Sequence, residues 1–576
     1  MSAEESAPAR VAIGISFGNS YSSIAEVRDG KAEVIANEDG DRQIPSILSY
    51  VEGEEFHGNQ AKSQLVRNAK NTVTSFRDFL GKEHDSPNSA SYPTPCHASA
   101  HPQEHSPTVA FSICDTESSE PNTVTVSEIT TRHLRRLRTS ASDFMGRSVN
   151  AAVITVPTNF SDSQKTALES AAKDAGIEVL QFIHEPIAAV LAYDARPDAK
   201  VSDKIVVVAD LGGTRSDVAV VASRGGMYSL LATAHDYELG GAQLDAVLID
   251  HFVKEFIKKN KTDPRQNDRS LAKLKLESEA TKKALSLGAS ASFSVESLAD
   301  GIDFTSTVNR TRYDLLASKV FASVTRLIEG AVQKADLDPL DIDEIILSGG
   351  TAHTPKIARS LQSHFPATTT ILAPATTATA INPSELSARG AAIQASLIAE
   401  FEHEDVEQST HPMVTVTPHL AHAIGVLCIS ADEKNGVFKP LIEAETPVPV
   451  RRTALVAVPR DGGDVLVRLC EGEREIKTSK PEPKTKTNGK ATVEDDNSDD
   501  EDSDDDDDEE VREKVWRVGK VLAEAGVKGV KKGGKVEVQV SVGSDLALQV
   551  VVREVGGKGG VRGNVDKPGV EQNGSA

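Results

Sequence analysis

The chain has 576 residues, of which 39% are hydrophobic and 26% are charged, and its formal net charge is −23 at pH 7. No stretch approaches the roughly 20 consecutive apolar residues of a membrane-spanning helix, and the acidic, polar start has no apolar signal core. The four cysteines are too widely spaced for a CxxC metal clip or a disulfide framework. These features argue against a membrane span and favour a cytoplasmic globular protein of several domains.

The alternation of strands and helices over residues 11–400 predicts an α/β domain. An apolar strand at 153–156 is followed by a helix that begins with a capping box of Ser161 and Gln164 and ends before Gly176. The same pattern predicts further strands at 179–183, 205–209, 217–221 and 345–347.

The helices that follow these strands also have local signals. Pro186 fits the first position of one helix, while Thr354 and Pro355 predict the cap and first residue of another. Gly212 and Gly213 lie between two strands and predict a hairpin.

Glycine turns follow strands at 14–20, 210–215 and 348–351, and a further pair stands at Gly240 and Gly241. Such turns bring backbone N–H groups close to phosphate oxygens. Their repetition predicts two similar halves that face one cleft. The first turn has Ser16 at its centre, where an enzyme that also binds a divalent cation commonly has a carboxylate.

The polar, acidic segment 400–412 reads as a linker, after which the hydrophobic period falls to two. We therefore expect an all-β domain over 413–556, with strands around Val414–Val416, Val465–Leu469, Val536–Val540 and Leu546–Val550.

A disordered acidic insert is expected at about 478–510, since residues 494–510 include 14 acids in 17 positions. It is either a solvated spacer or a contact for a basic partner. The Gly/Lys-rich residues 557–576 predict a disordered tail. The four lysines near 528–535 make only a small basic patch, so no DNA partner is expected.

Several segments together resemble the heat-shock-seventy (Hsp70) chaperones of the actin and sugar-kinase superfamily: VITVPTNFSDSQKTAL, FIHEPIAAVLAY, VVADLGGTRSDVAV, LGGAQLD, LSGGTAHTPKI and INPSELSARGAAIQA. The resemblance covers roughly residues 11–396, and a weaker one follows in the β domain. FGNSYSSIA, NTVTSFRDFLG and SLAKLK resemble most the atypical fungal subfamily of the ribosome-associated complex, which pairs with the J-protein zuotin.

The resemblance implies an α/β, two-lobed, actin-like ATP-binding domain at 9–399. An all-β peptide-binding-type domain without a helical lid is expected to follow it. Residues expected at the phosphates are Gly18, Asn19, Ser20, Tyr21, Gly212, Gly213, Thr214, Arg215, Gly240 and Gly241. Residues expected around the adenosine are Glu279, Lys282, Lys283, Ser286, Gly349, Gly350, His353 and Ser384. His353 and Lys283 each stand at a position where members of the family commonly have an arginine.

The family's hydrolytic residues are only partly present. Glu185, Asp210 and Asp217 match its catalytic and metal positions, whereas Ser16 replaces an aspartate and Arg77 replaces a lysine that positions the attacking water. Arg215, which replaces a threonine, is expected to bind phosphate. Loss of one positioning group commonly lowers the rate on the order of 10²–10³-fold, so ATP hydrolysis is expected to be slow or absent. No residue is assigned as a metal ligand.

The resemblance thus favours an atypical chaperone or co-chaperone at the ribosome that binds ATP with little or no hydrolysis, for which magnesium is dispensable. Its expected partners are a zuotin-like J-protein, the ribosome and, indirectly, nascent chains and a second, active Hsp70, with no membrane partner. A slow but functional ATP-hydrolysing chaperone is the alternative. A small-molecule kinase is disfavoured by the β domain and the acidic linker.

Overall fold

The computed structural model describes the greater part of the chain, namely residues 10–83, 100, 102–105, 108–115, 120–197, 199, 202–399, 401, 419–428, 437–457, 462–479, 511–557 and 560–565. The chain divides into two compact units, Met1–Val416 and Thr417–Ala576. Among the described residues, no helix combines the length and the apolar character needed to cross a bilayer.

The first unit is an α/β assembly. Its strands are β1 (Ala12–Phe17), β2 (Tyr21–Arg28), β3 (Lys31–Ile35), β4 (Ile44–Pro45), β5 (Ile47–Val51), β6 (Glu54–His57), β7 (Thr72–Thr74), β8 (Pro102–His105), β9 (Thr108–Ile113), β10 (Asn122–Thr125), β11 (Ala151–Val156), β12 (Glu178–His184), β13 (Lys204–Leu211), β14 (Ser216–Arg224), β15 (Met227–Asp236), β16 (Ser290–Ala299), β17 (Ile302–Asn309), β18 (Glu344–Ser348) and β19 (Thr370–Leu372).

Its α-helices are α1 (Gly58–Ser63), α2 (Val126–Met145), α3 (Asp162–Asp174), α4 (Glu185–Asp194), α5 (Gly241–Asn260), α6 (Asp268–Leu287), α7 (Arg310–Leu316), α8 (Ser318–Lys334), α9 (Pro355–His364) and α10 (Leu386–Ile398). Short 3-10 helices include Arg77–Phe79, Gly350–His353 and Pro383–Glu385.

Two large sheets have the same internal plan, one in each lobe. The first has the order β12-β11-β1-β2-β3 and the second β15-β14-β13-β18-β19. In each, an antiparallel three-stranded meander is extended by two parallel strands. The parallel strands are buried on both faces, as their continuous apolar runs predict. This repetition confirms the two-lobed α/β fold expected from the sequence.

Local signals in the sequence correctly identified most of these elements. Ser161 and Gln164 form the capping box of α3, and Gly176 follows that helix with φ of +80°. The hairpin of β13 and β14 also forms as predicted. Thr354 occupies the N-cap position of α9, but its side chain makes no capping hydrogen bond.

Gly14 does not belong to a turn, contrary to the sequence interpretation. It lies inside strand β1, paired with Val153 and Ala25, and an added Cβ would lie 2.1 Å from the backbone nitrogen of Ala392 on α10. The glycine is therefore needed for close packing of helix on sheet, and the turn is limited to Gly18–Ser20.

The second unit is all-β in its described residues, with no helix among them, as expected. Its strands are β20 (Ala423–Cys428), β21 (Val437–Ile442), β22 (Val450–Ala457), β23 (Gly463–Ser479), β24 (Val511–Val530), β25 (Lys535–Val542), β26 (Leu548–Glu554) and β27 (Gly560–Val565). They form two four-stranded sheets, β21-β20-β23-β24 and β22-β25-β26-β27. Alternate residues of β25 are buried, which gives the period of two seen in the sequence.

Two expectations for this unit were wrong in detail. Leu546 lies in a turn with φ of +66°, so its strand begins at Leu548. The tail assigned to 557–576 instead contributes β27, which pairs with β26 over its whole length from Gly560 to Val565, because backbone pairing does not require an apolar sequence. Of the expected linker 400–412, all but residue 401 lies outside the described residues, as do the strand at Val414–Val416 and residues 566–576. Of the acidic insert expected at about 478–510, residues 478–479 belong to β23 and residues 480–510 lie outside the described residues.

Candidate functional site

The first glycine turn lies against the second in the cleft between the two sheets. The Asn19 side-chain amide donates a hydrogen bond to Thr214 Oγ1 at 3.2 Å. A Cβ added to Gly213 would lie 2.4 Å from Ser20 Oγ, so a larger residue would require the Ser20 side chain to move. Asn19 is 4% exposed, and its Oδ1 atom has no hydrogen-bond partner among the described residues. A buried polar atom of this kind is a natural contact for a ligand.

The third and fourth turns join the second through its carbonyl groups. The Gly241 N–H donates to Gly212 O at 3.0 Å, and the Thr351 hydroxyl donates to the same oxygen at 2.8 Å. A Cβ on Gly240 would lie 2.9 Å from Gly213 O. Gly349 has φ of +84°, a conformation that favours glycine. The structure thus brings the predicted phosphate-side turns together at one place.

Arg77 lies on the floor of this cleft and is 4% exposed. Its Nη1 atom donates to Glu185 Oε1 at 3.2 Å and to Phe17 O at 3.2 Å. Its Nε atom donates to Asp78 Oδ1 at 3.0 Å. The guanidinium of Arg77 is therefore held by two carboxylates and a carbonyl, and Glu185 is engaged in a buried ion pair.

Arg215 makes a second buried ion pair, with Asp217. Arg215 Nε lies 2.7 Å from Asp217 Oδ2, and Nη2 donates to Asn159 Oδ1 at 2.9 Å. The guanidinium also lies 4.7 Å from the centre of the Tyr237 ring. His235 approaches Asp217 from the next strand, with Nδ1 2.6 Å from Oδ1.

The three carboxyl groups at the family's catalytic and metal positions have different electrostatic environments. Burial raises the pKa of Glu185, although Arg77 opposes this. Burial, together with the charges of Glu185 and Asp217, raises the pKa of Asp210. For Asp217 burial acts in the same direction, but the hydrogen bonds from His235 and Arg215 outweigh it and lower the pKa. Asp217 is thus the carboxylate most strongly held in its charged form.

Glu279, one of the residues of α6 expected around the adenosine, is at the centre of a cluster of charged and polar side chains. Glu279 accepts hydrogen bonds from Lys62 at 2.6 Å and from Tyr21 Oη, and pairs with Lys283 at 2.8 Å. Lys62 Nζ also lies 2.8 Å from Tyr21 Oη. Despite burial, the two lysines lower the pKa of Glu279. Lys62 lies on α1 in one lobe and Glu279 on α6 in the other, so this cluster bridges the cleft.

The other predicted residues of α6 also contact neighbouring protein groups. Lys282 Nζ donates to Gly241 O and to Asp245, each at 2.9 Å. Lys283 Nζ lies 4.8 Å from the Tyr21 ring centre. Ser286 Oγ donates to Lys282 O at 3.2 Å. Lys282 therefore anchors the start of α5.

On the opposite wall, His353 Nε2 lies 3.0 Å from Ser384 Oγ, and Gly350 lies beside them. Burial lowers the pKa of His353, which favours the neutral ring. A neutral imidazole offers a flat surface without the charge that an arginine would bring.

The residues present do not fit a magnesium ion. No group of three or more His, Cys, Asp or Glu side chains among the described residues is arranged to hold a metal ion. Glu185 and Asp217 are instead paired with guanidinium groups. Ser16 offers a hydroxyl on β1 where a carboxylate is expected. A magnesium ion requires oxygen ligands in near-octahedral order, and these ion pairs engage two of the three carboxyl groups at the family's catalytic and metal positions.

Sequence reasoning missed several residues of the cleft, namely Lys62, Asp78, Asn159, His235, Tyr237 and Asp245. Asp78 directly follows Arg77 in the sequence. His235 faces Asp217 in the register of β14 and β15, so a correct strand alignment would have identified it. Lys62 comes from a six-residue helix distant in sequence from Glu279, and no local pattern marks it.

In a comparison with protein families, the Hsp70 protein model matches residues 12–484. A heat shock protein 70 homolog of Schizosaccharomyces pombe is 44% identical over 561 residues, with 96% of each chain covered. The ribosome-associated complex subunit SSZ1 of Saccharomyces cerevisiae is 43% identical over 557 residues, which cover 96% of this chain and 99% of that protein. Heat shock 70 kDa protein 14 of Danio rerio is 32% identical over 81% of this chain and 89% of its own.

Proposed function

Because this chain belongs to the Hsp70 family, we propose that it is a chaperone subunit that binds ATP in its cleft with little or no hydrolysis. The observation that supports this proposal best is the pairing of Arg77 with Glu185 and of Arg215 with Asp217. Two of the carboxyl groups expected to serve hydrolysis are thereby engaged in ion pairs.

The nucleotide has a structural role in this proposal. Glycine turns from both lobes would contact the phosphates, and the α6 face and the His353 wall would contact the adenosine. A ligand that contacts both lobes stabilises the closed arrangement by mass action. Slow release follows if the cleft is also closed by the Lys62–Glu279 bridge.

We further propose that the chain acts at the ribosome as a stable partner of a J-protein. It would assist nascent chains through a second Hsp70 that carries the catalytic activity. Similarity over almost the full length to a subunit named for the ribosome-associated complex supports this co-chaperone role. A cytoplasmic, ribosome-associated location follows from the same proposal.

A slow but functional ATP-hydrolysing chaperone is the second candidate. It is favoured by one observation: Glu185, Asp210 and Asp217 are all present, with Asp210 facing Asp217 in the register of β13 and β14. Carboxyl groups in this arrangement could still support a low rate of hydrolysis.

The nucleotide retained by the full-length protein distinguishes the two candidates. The protein would be purified without added nucleotide, precipitated with acid and its released nucleotide separated by chromatography. We expect ATP as the retained species. Predominant ADP would overturn the proposal in favour of the slow ATPase. For the partner, affinity purification of the tagged chain should recover a J-domain protein and ribosomes at near-equal abundance, and free monomer alone would contradict the complex.

A further inference from the structure

We infer that this cleft binds the nucleoside triphosphate without a divalent cation, because Arg77 and Arg215 together supply the positive charge that the cation would bring. This inference rests on the proposed function, in which the cleft binds ATP.

The two guanidinium groups are fixed parts of the cleft. The side chains of Arg77 and Arg215 are 5% and 9% exposed. Arg77 is held by Glu185, Asp78 and a carbonyl, and Arg215 by Asp217 and Asn159. Each guanidinium therefore has partners on several sides, which hold it in the cleft.

The charges of the cleft explain why the cation is superfluous. Two guanidinium groups carry the same formal charge as one Mg²⁺, and an arginine keeps its charge at every physiological pH. Asp217, the carboxylate most strongly held in its charged form, is already neutralised by Arg215 and approached by His235. The triphosphate would thus meet a cleft in which Glu185 and Asp217 are each paired with a guanidinium group.

The same contacts disfavour the cation. To reach Glu185 or Asp217, Mg²⁺ would have to displace a buried guanidinium from its hydrogen bonds, and the displaced charge would remain beside the cation. Ser16 offers no carboxylate in compensation. Arginine also forms charge-assisted bonds with phosphate oxygens, so both arginines can assist the ligand directly.

The inference is tested by the affinity of the full-length protein for ATP in excess EDTA and in saturating magnesium. We expect the two dissociation constants to differ by less than about threefold. With Mn²⁺ as the probe, electron paramagnetic resonance should show no cation immobilised on the protein–ATP complex. ATP binding that requires magnesium, or Mn²⁺ bound stoichiometrically to the complex, would overturn the inference. Absence of ATP binding under both conditions would instead overturn the proposed function.

The variant Arg215→Thr tests the role of the arginine. In excess EDTA its affinity for ATP should fall by about tenfold or more, and magnesium should restore part of the loss. The matched control is Arg326→Thr on the exposed face of α8, which should behave as the wild type. An Arg215→Thr protein that is folded by circular dichroism and binds ATP like the wild type in EDTA would overturn the assignment. If it does not fold, the wild-type comparison with EDTA and magnesium still decides.

Discussion

Arg77 Nη1 lies 3.2 Å from Glu185 Oε1 in a buried ion pair, and Asp78 holds the same guanidinium from the other side. In the family that this chain belongs to, the corresponding residues are expected to position water and metal. Here they neutralise one another. The fold of the cleft is kept while its electrostatics are changed, which supports a nucleotide-binding subunit with little catalytic activity.

The variant Glu185→Gln should destabilise the protein. It removes one carboxylate from a buried guanidinium, and such a loss commonly costs about 3–5 kcal/mol, reduced here because Asp78 remains. Urea unfolding followed by circular dichroism measures the change. The exposed Glu169→Gln on α3 is the control. Equal midpoints for the two variants would show that the ion pair contributes nothing to stability.

Lys62→Met should accelerate ATP release. Lys62 and Glu279 join the two lobes through a bond of 2.6 Å, and their side chains are 18% and 20% exposed. A charge-assisted hydrogen bond in such a position contributes about 1.5–3 kcal/mol, so release should be roughly tenfold faster or more. Stopped-flow displacement of a fluorescent ATP analogue measures this rate. The exposed Lys173→Met serves as control, and release at the wild-type rate in Lys62→Met would refute the bridge.

His133 makes the stability of the first unit depend on pH. It is buried on α2, with Nε2 3.0 Å from Ser22 Oγ, and burial lowers its pKa to about 3 from an ordinary value of 6.5. The contribution of the buried, neutral His133 ring to the free energy of unfolding is full above pH 6.5. It is lost as the pH falls towards 3, because only the unfolded chain then takes up the proton.

As the pH falls from 6.5 to about 3, His133 should lower the free energy of unfolding by at most about 1.4 kcal/mol for each pH unit. Urea titrations at several pH values measure the slope. His133→Gln should reduce it, whereas His364→Gln, at an exposed position on α9, should leave it unchanged. A wild-type slope in His133→Gln would assign the acid sensitivity to other groups.

The strand β27 predicts a defined effect of truncation in the second unit. A chain that ends at Val565 keeps this strand, whereas one that ends at Gly557 loses its pairing with β26 and exposes that strand as a new edge. We expect the shorter chain to be less stable and more prone to aggregation, and the longer one to match the full chain. Thermal melts with light scattering compare the three. Identical behaviour of both truncated chains would show that β27 is dispensable.

Sequence reasoning succeeded where the signal is local. The capping box of Ser161 and Gln164 and the hairpin after Leu211 depend on residues adjacent in the chain. It failed where tertiary contacts decide. The glycine at position 14 suggests a turn when only its neighbours in the chain are considered. A glycine is needed there because β1 packs closely against α10, which lies far away in the sequence.

The same limit applies to the cleft. The departures Ser16, Arg77 and Arg215 were visible in the sequence, because motif positions identify them. The sequence does not predict that both arginines pair with the retained carboxylates. Arg77 and Glu185 are 108 residues apart in the chain, and Arg215 could equally have faced a phosphate rather than Asp217. The bridge between Lys62 and Glu279 joins elements 217 residues apart and was missed for the same reason.

Restoring the family's usual residues should increase turnover. In Arg77→Lys with Arg215→Thr, both carboxylates lose their guanidinium partners, and a lysine can again position water. The single-turnover rate should rise by roughly tenfold or more if these two residues limit hydrolysis. Arg135→Lys with Arg326→Thr, both at exposed positions, is the matched control. No gain in a double variant that still binds ATP would show that other changes, such as Ser16, dominate.

We expect the wild-type cleft to hold ATP without cleaving it. Single-turnover hydrolysis tests this most directly, with purified protein in excess over labelled ATP, in magnesium, with and without the J-protein partner. ATP should remain bound and uncleaved in both conditions over the lifetime of the complex. Formation of ADP that accelerates when the J-protein is added would contradict it and would establish a working ATPase chaperone.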